Sequence, residues 1–370
     1  MRICMDARPA GPGGSGIGAF ARSALNALAG SGRESLLAVT AGESARTAWP
    51  ARVEVLAASP GPLWSELGLP VQLEESGADV FFSPLFICPV VRATRHVITL
   101  HDVFPESHPG LCTAEFLAFW KARIGPSLRS ACHAVAVSEW SKAQAVEHLR
   151  LDPARVSVIH QSAGSRFLPV LRAEAEPVLA RHALPWGGYV LCVGAVDPRK
   201  NLERLVKAFC RMAGDGLVLV LAGSETVKGY GGQVRQSANS SGGVKFLGYV
   251  PEKELPSLYS GARCFAFPSL AEGFGRPCVE AMACGVPVVA SSATALPETC
   301  GEGALLPDPE SEEAIAEALN AACFNETERS RLVEAGRRRA AAFSAERFAA
   351  ELIKAFEAAL AGPREGLWSG

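Results

Sequence analysis

The chain has 370 residues, 48% of them hydrophobic and 20% charged, and a formal net charge of −2. That composition excludes a disordered or low-complexity protein, and the length gives two domains at about 150 residues each. Residues 1–185 carry 17 Lys/Arg against 16 Asp/Glu, and residues 186–370 carry 19 against 22, so neither half is a basic patch and no nucleic-acid partner is expected. The 11 cysteines contain no C-x-x-C pair, which excludes a zinc-knuckle reading and argues against a disulfide framework. The start, Met1-Arg2-Ile3-Cys4-Met5-Asp6, has no apolar core of a signal peptide, and no segment reaches the roughly 18 apolar residues of a spanning helix. A reducing cytoplasmic setting is the expectation.

Short apolar runs alternate with amphipathic stretches, the pattern of βαβ units and a parallel sheet. In the first half the predicted strands are 2–6, 36–40, 53–57, 79–82, 96–100, 133–137 and 156–159. The predicted helices are 17–29, 63–76, 113–130 and 139–149. The stretch 168–188 is charged and proline-flanked and reads as a linker zone. The alternation then restarts with strands at 189–194, 217–222, 244–247, 263–267 and 286–290. Helices are expected at 201–213, 252–260, 276–284 and 311–322. The tail 344–361 is one amphipathic helix with Phe348, Leu352 and Phe356 on a shared face. The expected fold is α/β, with two doubly wound parallel-sheet domains at 1–175 and 186–344 and the last helix, 345–362, crossing back to the first. In such sheets ligands bind beyond the carboxyl ends of the strands.

After strand 2–6, Gly11, Gly13 and Gly16 match G-x-G-x-x-G and open a helix, with Gly14 in the same loop. Backbone N–H groups at a helix start suit a phosphate. Three readings stay open: a dinucleotide site, another phosphate or sugar pocket, and a structural turn. The ribose-binding acid of a dinucleotide site comes late, at Glu43, and Pro12 removes one donor. All seven histidines lie between His96 and His182, so any imidazole chemistry comes from the first half. His101 and Asp102 end a predicted strand, where a histidine serves either structure or chemistry. Ser138 reads either as a helix cap or as part of a site. The helix 113–130 carries Phe116, Phe119 and Trp120 beside Lys121, Arg123 and Arg129, a composition that fits either a core-facing stripe or a lipid surface.

The most informative segment runs from Pro268 to Ala290. Glu272-Gly273-Phe274-Gly275-Arg276-Pro277 forms a loop and opens a helix at the favoured proline position, with Glu280 one turn in. The two carboxylates, spaced E-x7-E, can meet different portions of one ligand. Arg199 and Lys200 follow strand 189–194 and its Gly194, and adjacent cations there suit a diphosphate leaving group.

Taken with Leu100-His101-Asp102-Val103, Ala136-Val137-Ser138-Glu139-Trp140-Ser141, Val193 through Asn201, and Phe246-Leu247-Gly248-Tyr249-Val250, this block resembles the signature of retaining glycosyltransferases of family 4, also called glycosyl transferases group 1. The resemblance covers nearly the whole chain. It implies the GT-B fold, two Rossmann-like domains facing a central cleft, with a nucleotide diphosphate sugar as donor and no other cofactor or metal. It implies that Glu280 accepts hydrogen bonds from the nucleotide ribose and that Glu272 lies at the donor sugar. The N–H groups of Phe274 and Gly275 are placed for sugar or phosphate oxygens, Gly273 belongs to the same expected binding set, and the resemblance puts His101 by donor and acceptor. Many relatives carry arginine directly after the strand-end glycine, where this chain has Ala195. Arg199 and Lys200 thus cover both cationic roles, Lys200 being the closer match. The expected catalytic set is His101, Glu272, Arg199 and Lys200, with Gly14, Gly16 and Gly194 completing the donor contacts. The Pro-Arg-Lys-Asn variant resembles mannosyltransferase-like members that use GDP-mannose, with a glycan or lipid-linked acceptor and peripheral association at the inner membrane face. The alternatives are an NAD-dependent oxidoreductase using the first glycine loop and a sugar-nucleotide epimerase of the same architecture.

Overall fold

In the computed structural model, the residues described are 1–11, 16–32, 35–40, 53–57, 68–90, 94–212, 216–238 and 243–368. They form two compact units, Met1–Gln161 with Ala345–Gly370, and Ser162–Ser344.

In the first unit the chain runs β1 (Arg2–Asp6), α1 (Gly16–Ser31), β2 (Ser35–Thr40), β3 (Val53–Ala57), α2 (Leu69–Ser76), β4 (Val80–Ser83), β5 (Arg95–Leu100), α3 (Phe104–Ser107), α4 (Ala114–Ser130), β6 (His133–Ala136), α5 (Glu139–Leu149) and β7 (Val156–Val158). The strands make one parallel sheet in the order β3-β2-β1-β4-β5-β6-β7. Parallel strands are covered by helices on both faces, which is why they read as near-continuous apolar runs. On one face Cys4, Phe81, Ile98 and Ala134 pack in a cluster with Trp120, Ile124 and Leu128 of α4, and on the other Phe82 packs against the ring of Phe20. Thr113 caps α4 by accepting from Phe116 N (3.2 Å), and Ser138 caps α5 by accepting from Ser141 N (2.9 Å). Of the two readings of Ser138, the cap is the one the structure shows.

The second unit runs α6 (Arg172–Arg181), β8 (Tyr189–Val193), α7 (Leu202–Cys210), β9 (Val218–Ala222), α8 (Tyr230–Ala238), β10 (Val244–Gly248), α9 (Leu255–Gly261), β11 (Cys264–Phe267), α10 (Arg276–Ala283), β12 (Val288–Ala290), α11 (Leu296–Cys300), β13 (Ala304–Leu305), α12 (Glu312–Phe324) and α13 (Glu326–Ala341). Its parallel sheet is ordered β10-β9-β8-β11-β12-β13. The last helix, α14 (Ala345–Ala361), belongs to the first unit. Its Phe348 meets Phe20 of α1 at 5.5 Å and its Phe356 meets Phe82 of β4 at 5.2 Å between ring centroids. Arg155 then fastens the tail by donating to the carbonyls of Glu365 and Gly366.

Among the described residues six elements were not expected from the sequence, the short α3, α11 and β13 and the longer helices α6, α8 and α13. The zone 168–188 holds a helix, α6, in which only Ala175 and Leu179 are buried and Pro177 sits inside. A two-residue apolar stripe among alternating charges leaves little periodicity to read. The helix α13 was not expected either, because among its sixteen residues only Leu332, Ala335 and Gly336 are buried. Residues 230–238 form α8 through Tyr230 and Val234 despite two glycines. Among the described residues no helix is long and apolar enough to cross a membrane.

Candidate active site

Each sheet has one place where the winding reverses. In the second unit that point lies between the neighbours β8 and β11, and in the first between β1 and β4. A crevice opens beyond the carboxyl ends of strands at such a point.

Beyond β8 the chain passes Gly194 and makes a short 3₁₀ turn, Pro198–Lys200. Asn201 follows in the left-handed region at φ 59°. Its Nδ2 donates to the carbonyls of Pro268 (3.0 Å) and Pro309 (2.7 Å), and Leu270 N donates to Arg199 O (2.8 Å). These bonds stitch the loop after β8 to the loop after β11. They bring Arg199 and Lys200 to Glu272. Lys200 Nζ donates to Glu272 Oε1 and lies 4.6 Å from the centre of the Phe267 ring. Arg199 Nη1 donates to Ala271 O (2.9 Å) and lies 3.1 Å from the same carboxylate oxygen. A methyl group on Gly194 would stand 3.2 Å from Lys200 Cε, so the bare glycine leaves the lysine its path. Glu272 N donates to Thr294 Oγ1 (2.9 Å). Lys200 and Glu272 are each 8% exposed. Burial alone would raise the Glu272 pKa, but the charges of Lys200 and then Arg199 outweigh it and hold the carboxyl below its ordinary value. Two cations thus share one ionised carboxylate at the sheet edge.

The loop from Gly273 to Gly275 leads into α10. Gly275 has φ 92°, and a Cβ there would lie 2.3 Å from Leu296 Cδ2, so both backbone and packing require glycine. Thr299 Oγ1 donates to Phe274 O (2.6 Å), and the Phe274 ring is buried edge-on against Phe343. Phe274 therefore anchors the loop through its side chain. One turn into α10, Glu280 Oε2 accepts from Tyr259 Oη (3.0 Å), and Oε1 lies 2.9 Å from Arg276 Nε. Burial pushes the Glu280 pKa up to about 7, against the lowering effects of Arg276 and the Tyr259 hydroxyl. Arg276 itself donates from Nη2 to Ala163 O (3.1 Å). The two glutamates of E-x7-E thus lie in different surroundings: Glu272 is held ionised by two cations, while Glu280 is poised near neutrality.

In the first unit His101 directly follows β5. Its Nε2 lies 2.9 Å from Pro84 O, and since a carbonyl only accepts, Nε2 carries the proton. Burial lowers the His101 pKa to about 4, so the imidazole is neutral near pH 7, with Nδ1 as an acceptor. Its ring stands edge-on to Phe20 at 4.8 Å, and its carbonyl accepts from Ser141 Oγ (3.0 Å). Gly16 opens α1, and Arg22 Nη1 reaches back to the carbonyls of Ala10 and Gly11, both at 3.4 Å. Gly14 lies outside the described residues, as do Pro12, Gly13 and Glu43.

Sequence reasoning gave no role to Asn201, Tyr259, Arg276 or Thr294. The spacing of Arg276 and Glu280, four apart on a helix, was a readable signal for their pairing. Tyr259 and Thr294 come together with the glutamates only through tertiary packing.

Residues 187–339 match the family described as glycosyl transferases group 1. The O-antigen chain mannosyltransferase B of Escherichia coli is 32% identical over 289 residues, 75% of this chain and 74% of that protein. The chain belongs to the glycosyl transferases group 1. The O-antigen chain mannosyltransferase RfbU of Salmonella typhimurium is 27% identical over 231 residues, 62% of this chain and 61% of that protein. Two solved structures share the fold at low identity. Alr3699/HepE of Anabaena, in complex with UDP-glucose, superposes with a TM-score of 0.77 at 18% identity, over 96% of this chain and 98% of that one. WaaG, a glycosyltransferase involved in lipopolysaccharide biosynthesis, gives 0.71 at 14%, over 95% and 98%. This glycosyltransferase has the GT-B fold. The dinucleotide and epimerase alternatives are not favoured by these relatives.

Proposed function

We propose that the enzyme transfers mannose from GDP-mannose to a hydroxyl of a glycan or lipid-linked acceptor, with retention of configuration and without a metal. The observation that carries the reading is the Lys200–Glu272–Arg199 cluster at the β8/β11 reversal of a group 1 glycosyltransferase. The mannose assignment rests on relatives named as mannosyltransferases. Lys200, the closer match to the family's lysine, is the cation assigned to the diphosphate, with Arg199 held beside it through the carbonyl of Ala271. As the C1–O bond to the diphosphate breaks, charge grows on the leaving oxygen, and a fixed ammonium stabilises that charge most in a site sheltered from water. The acceptor oxygen bonds to C1 on the same face, and its proton passes to the departing diphosphate oxygen. Glu272 accepts from donor-sugar hydroxyls while the two cations keep it ionised. Glu280 accepts from the ribose hydroxyls. Nδ1 of the neutral His101 accepts from a sugar hydroxyl. Gly194, Gly273, Phe274 and Gly275 form the donor's cradle in this reading, and Gly14 and Gly16 are assigned to the donor as well. An acceptor carried at a lipid surface fits α4, which exposes Phe116 and Phe119 beside Lys121.

The test is thermal-shift screening against GDP-mannose, UDP-glucose, UDP-galactose and dTDP-glucose, followed by NMR of the product anomer. GDP-mannose is expected to give the largest shift and an α-linked product. A larger shift with a UDP-sugar overturns the mannose assignment, and no shift with any nucleotide sugar overturns the site.

A further inference from the structure

Arg276 stands midway between the two glutamates of E-x7-E, at the first position of α10, and is buried. A cation in the first turn opposes the helix dipole, and a buried one also loses its water. Replacing a buried ion pair by apolar groups of similar volume is often neutral or stabilising, so the fold alone gives Arg276 no reason to be there. Its contacts supply one. Nε lies 2.9 Å from Glu280 Oε1, and the bond from Nη2 to Ala163 O (3.1 Å) fixes the direction of the guanidinium. From α9, the buried Tyr259 donates through Oη to Glu280 Oε2 (3.0 Å). An ionised carboxylate has about four lone-pair sites. Arg276 and Tyr259 engage one on each oxygen and leave one on each open, an arrangement that receives two neighbouring hydroxyls.

We propose that Arg276 is a positioning residue for donor binding: it turns Glu280 and keeps it ionised, so that both carboxylate oxygens accept from the vicinal hydroxyls of the donor's ribose. The inference rests on the reading of Glu280 as the ribose acceptor and assigns the residue that makes it one. Arg276 acts through Glu280 and does not touch the donor. The groups that face Glu280 set the balance. Burial pushes its pKa up to about 7, and the charge of Arg276 is the main influence in the opposite direction, ahead of the Tyr259 hydroxyl. Glu252, ahead of α9, stands 3.8 Å from Arg276 Nη2, and its charge raises the Glu280 pKa. Cys284, one turn further along the chain, is a neutral thiol, its pKa pushed up to about 12 by burial. Without Arg276 the chief opposition to burial is gone, and Glu280 holds its proton at neutral pH. One of its oxygens then donates where the ribose needs an acceptor.

The test is calorimetric titration of the full-length protein with GDP-mannose and with UDP-glucose from about pH 6 to about pH 9, following the donor that binds more tightly. In the unmodified protein affinity is expected to rise with pH through a midpoint near 7. Arg276→Met keeps the apolar stem and removes the charge. It is expected to move the midpoint up by at least about one pH unit, so that affinity at about pH 7.5 falls threefold or more and recovers toward pH 9. A merely structural loss would lower affinity at every pH and leave the midpoint in place. Breaking a buried pair can unfold a chain, so a second measurement compares Glu280→Gln with the double variant Arg276→Met/Glu280→Gln, in which neither charge of the pair remains. If Arg276 works through Glu280, these two bind the donor equally, within about twofold, and neither follows pH through this window. An unmoved midpoint in Arg276→Met overturns the inference. So does a double variant that binds about tenfold more weakly than Glu280→Gln, since Arg276 would then touch the donor itself. Failure of the transferase reading looks different: the unmodified protein then binds neither sugar nucleotide, and both readings fall together.

Discussion

The two sheets reverse their winding in the same way and are furnished in opposite ways. At the reversal of the second sheet, two cations and a carboxylate are gathered within one buried cluster. At the reversal of the first sheet there is a cavity with apolar walls, Arg123 and a mutually bonded Asp6–Arg8 pair, and directly after β5 stands a neutral imidazole. One architecture therefore supplies a place for a ligand, and the loop residues decide its chemistry. Burial acts alike in both units. It lowers the pKa of His101 and raises that of Glu280, in each case favouring the neutral form. Glu272 escapes this only because Lys200 and Arg199 stand against it.

The largest expected effect tests the charged side of the contrast. Lys200→Ala should lower kcat/KM by about 10²–10³-fold, the range for removing a group that stabilises transition-state charge. It also leaves a buried carboxylate with one partner fewer, and breaking such a pair costs about 3–5 kcal/mol of stability. Adding Glu272→Gln should restore most of the stability and none of the activity. Near-normal turnover in a folded Lys200→Ala enzyme would falsify the assignment of this lysine to the diphosphate.

The second prediction compares the two glycine loops. Gly275→Ala places a methyl group against Leu296 on a left-handed backbone, and should cost about 3 kcal/mol. Gly16→Ala meets nothing within 4 Å at a helix start, and should be neutral or stabilising by up to about 1 kcal/mol. Calorimetric melting of the two variants decides it, and equal losses would contradict the packing described.

A smaller effect separates the two neighbouring cations. Arg199→Ala removes one hydrogen bond to Ala271 O and a share of the Glu272 charge, and should lower kcat/KM about tenfold. A loss as large as that of Lys200→Ala would mean that Arg199, too, touches the leaving group.

How much of this the sequence reveals depends on how far apart the contributing residues lie. The strands were legible because a parallel strand buried on both faces leaves a continuous apolar run, as in Leu217 to Ala222. The Lys200–Glu272–Arg199 cluster was legible because its members sit in two short motifs, Pro198 to Asn201 and Glu272 to Glu280. The helix α13 was not, because three buried residues among sixteen leave hardly any stripe. The cavity was not legible at all. Its walls come from β1, α2, β4, the connection after β4, and α4, and nothing local marks Ile87 or Phe119 as neighbours of Asp6.

The smallest predicted effect is on pH dependence, where the two units should move in opposite directions. With Glu280 near pKa 7, its ionised fraction falls about threefold from pH 7.5 to 6.5, and donor affinity should fall with it. Glu280→Gln should bind more weakly at pH 7.5 but lose this dependence. Stability carries the reverse sign. The folded pKa of Glu280 lies above the unfolded value of 4.5, so the folded state holds the extra proton between about 4.5 and 7, and this group stabilises the second unit as pH falls through that window. His101 and His133 of the first unit are both lowered to about 4 from 6.5 by burial. There the unfolded state takes up protons first, so their contribution is intact above pH 6.5 and is lost as pH falls toward 4. Between pH 6.5 and 4.5 acid should therefore weaken residues 1–161 while Glu280 partly protects residues 162–344. Hydrogen exchange measured at both ends of that window would show the first unit opening earlier, and faster exchange in the second unit would reverse the assignment of the two buried groups.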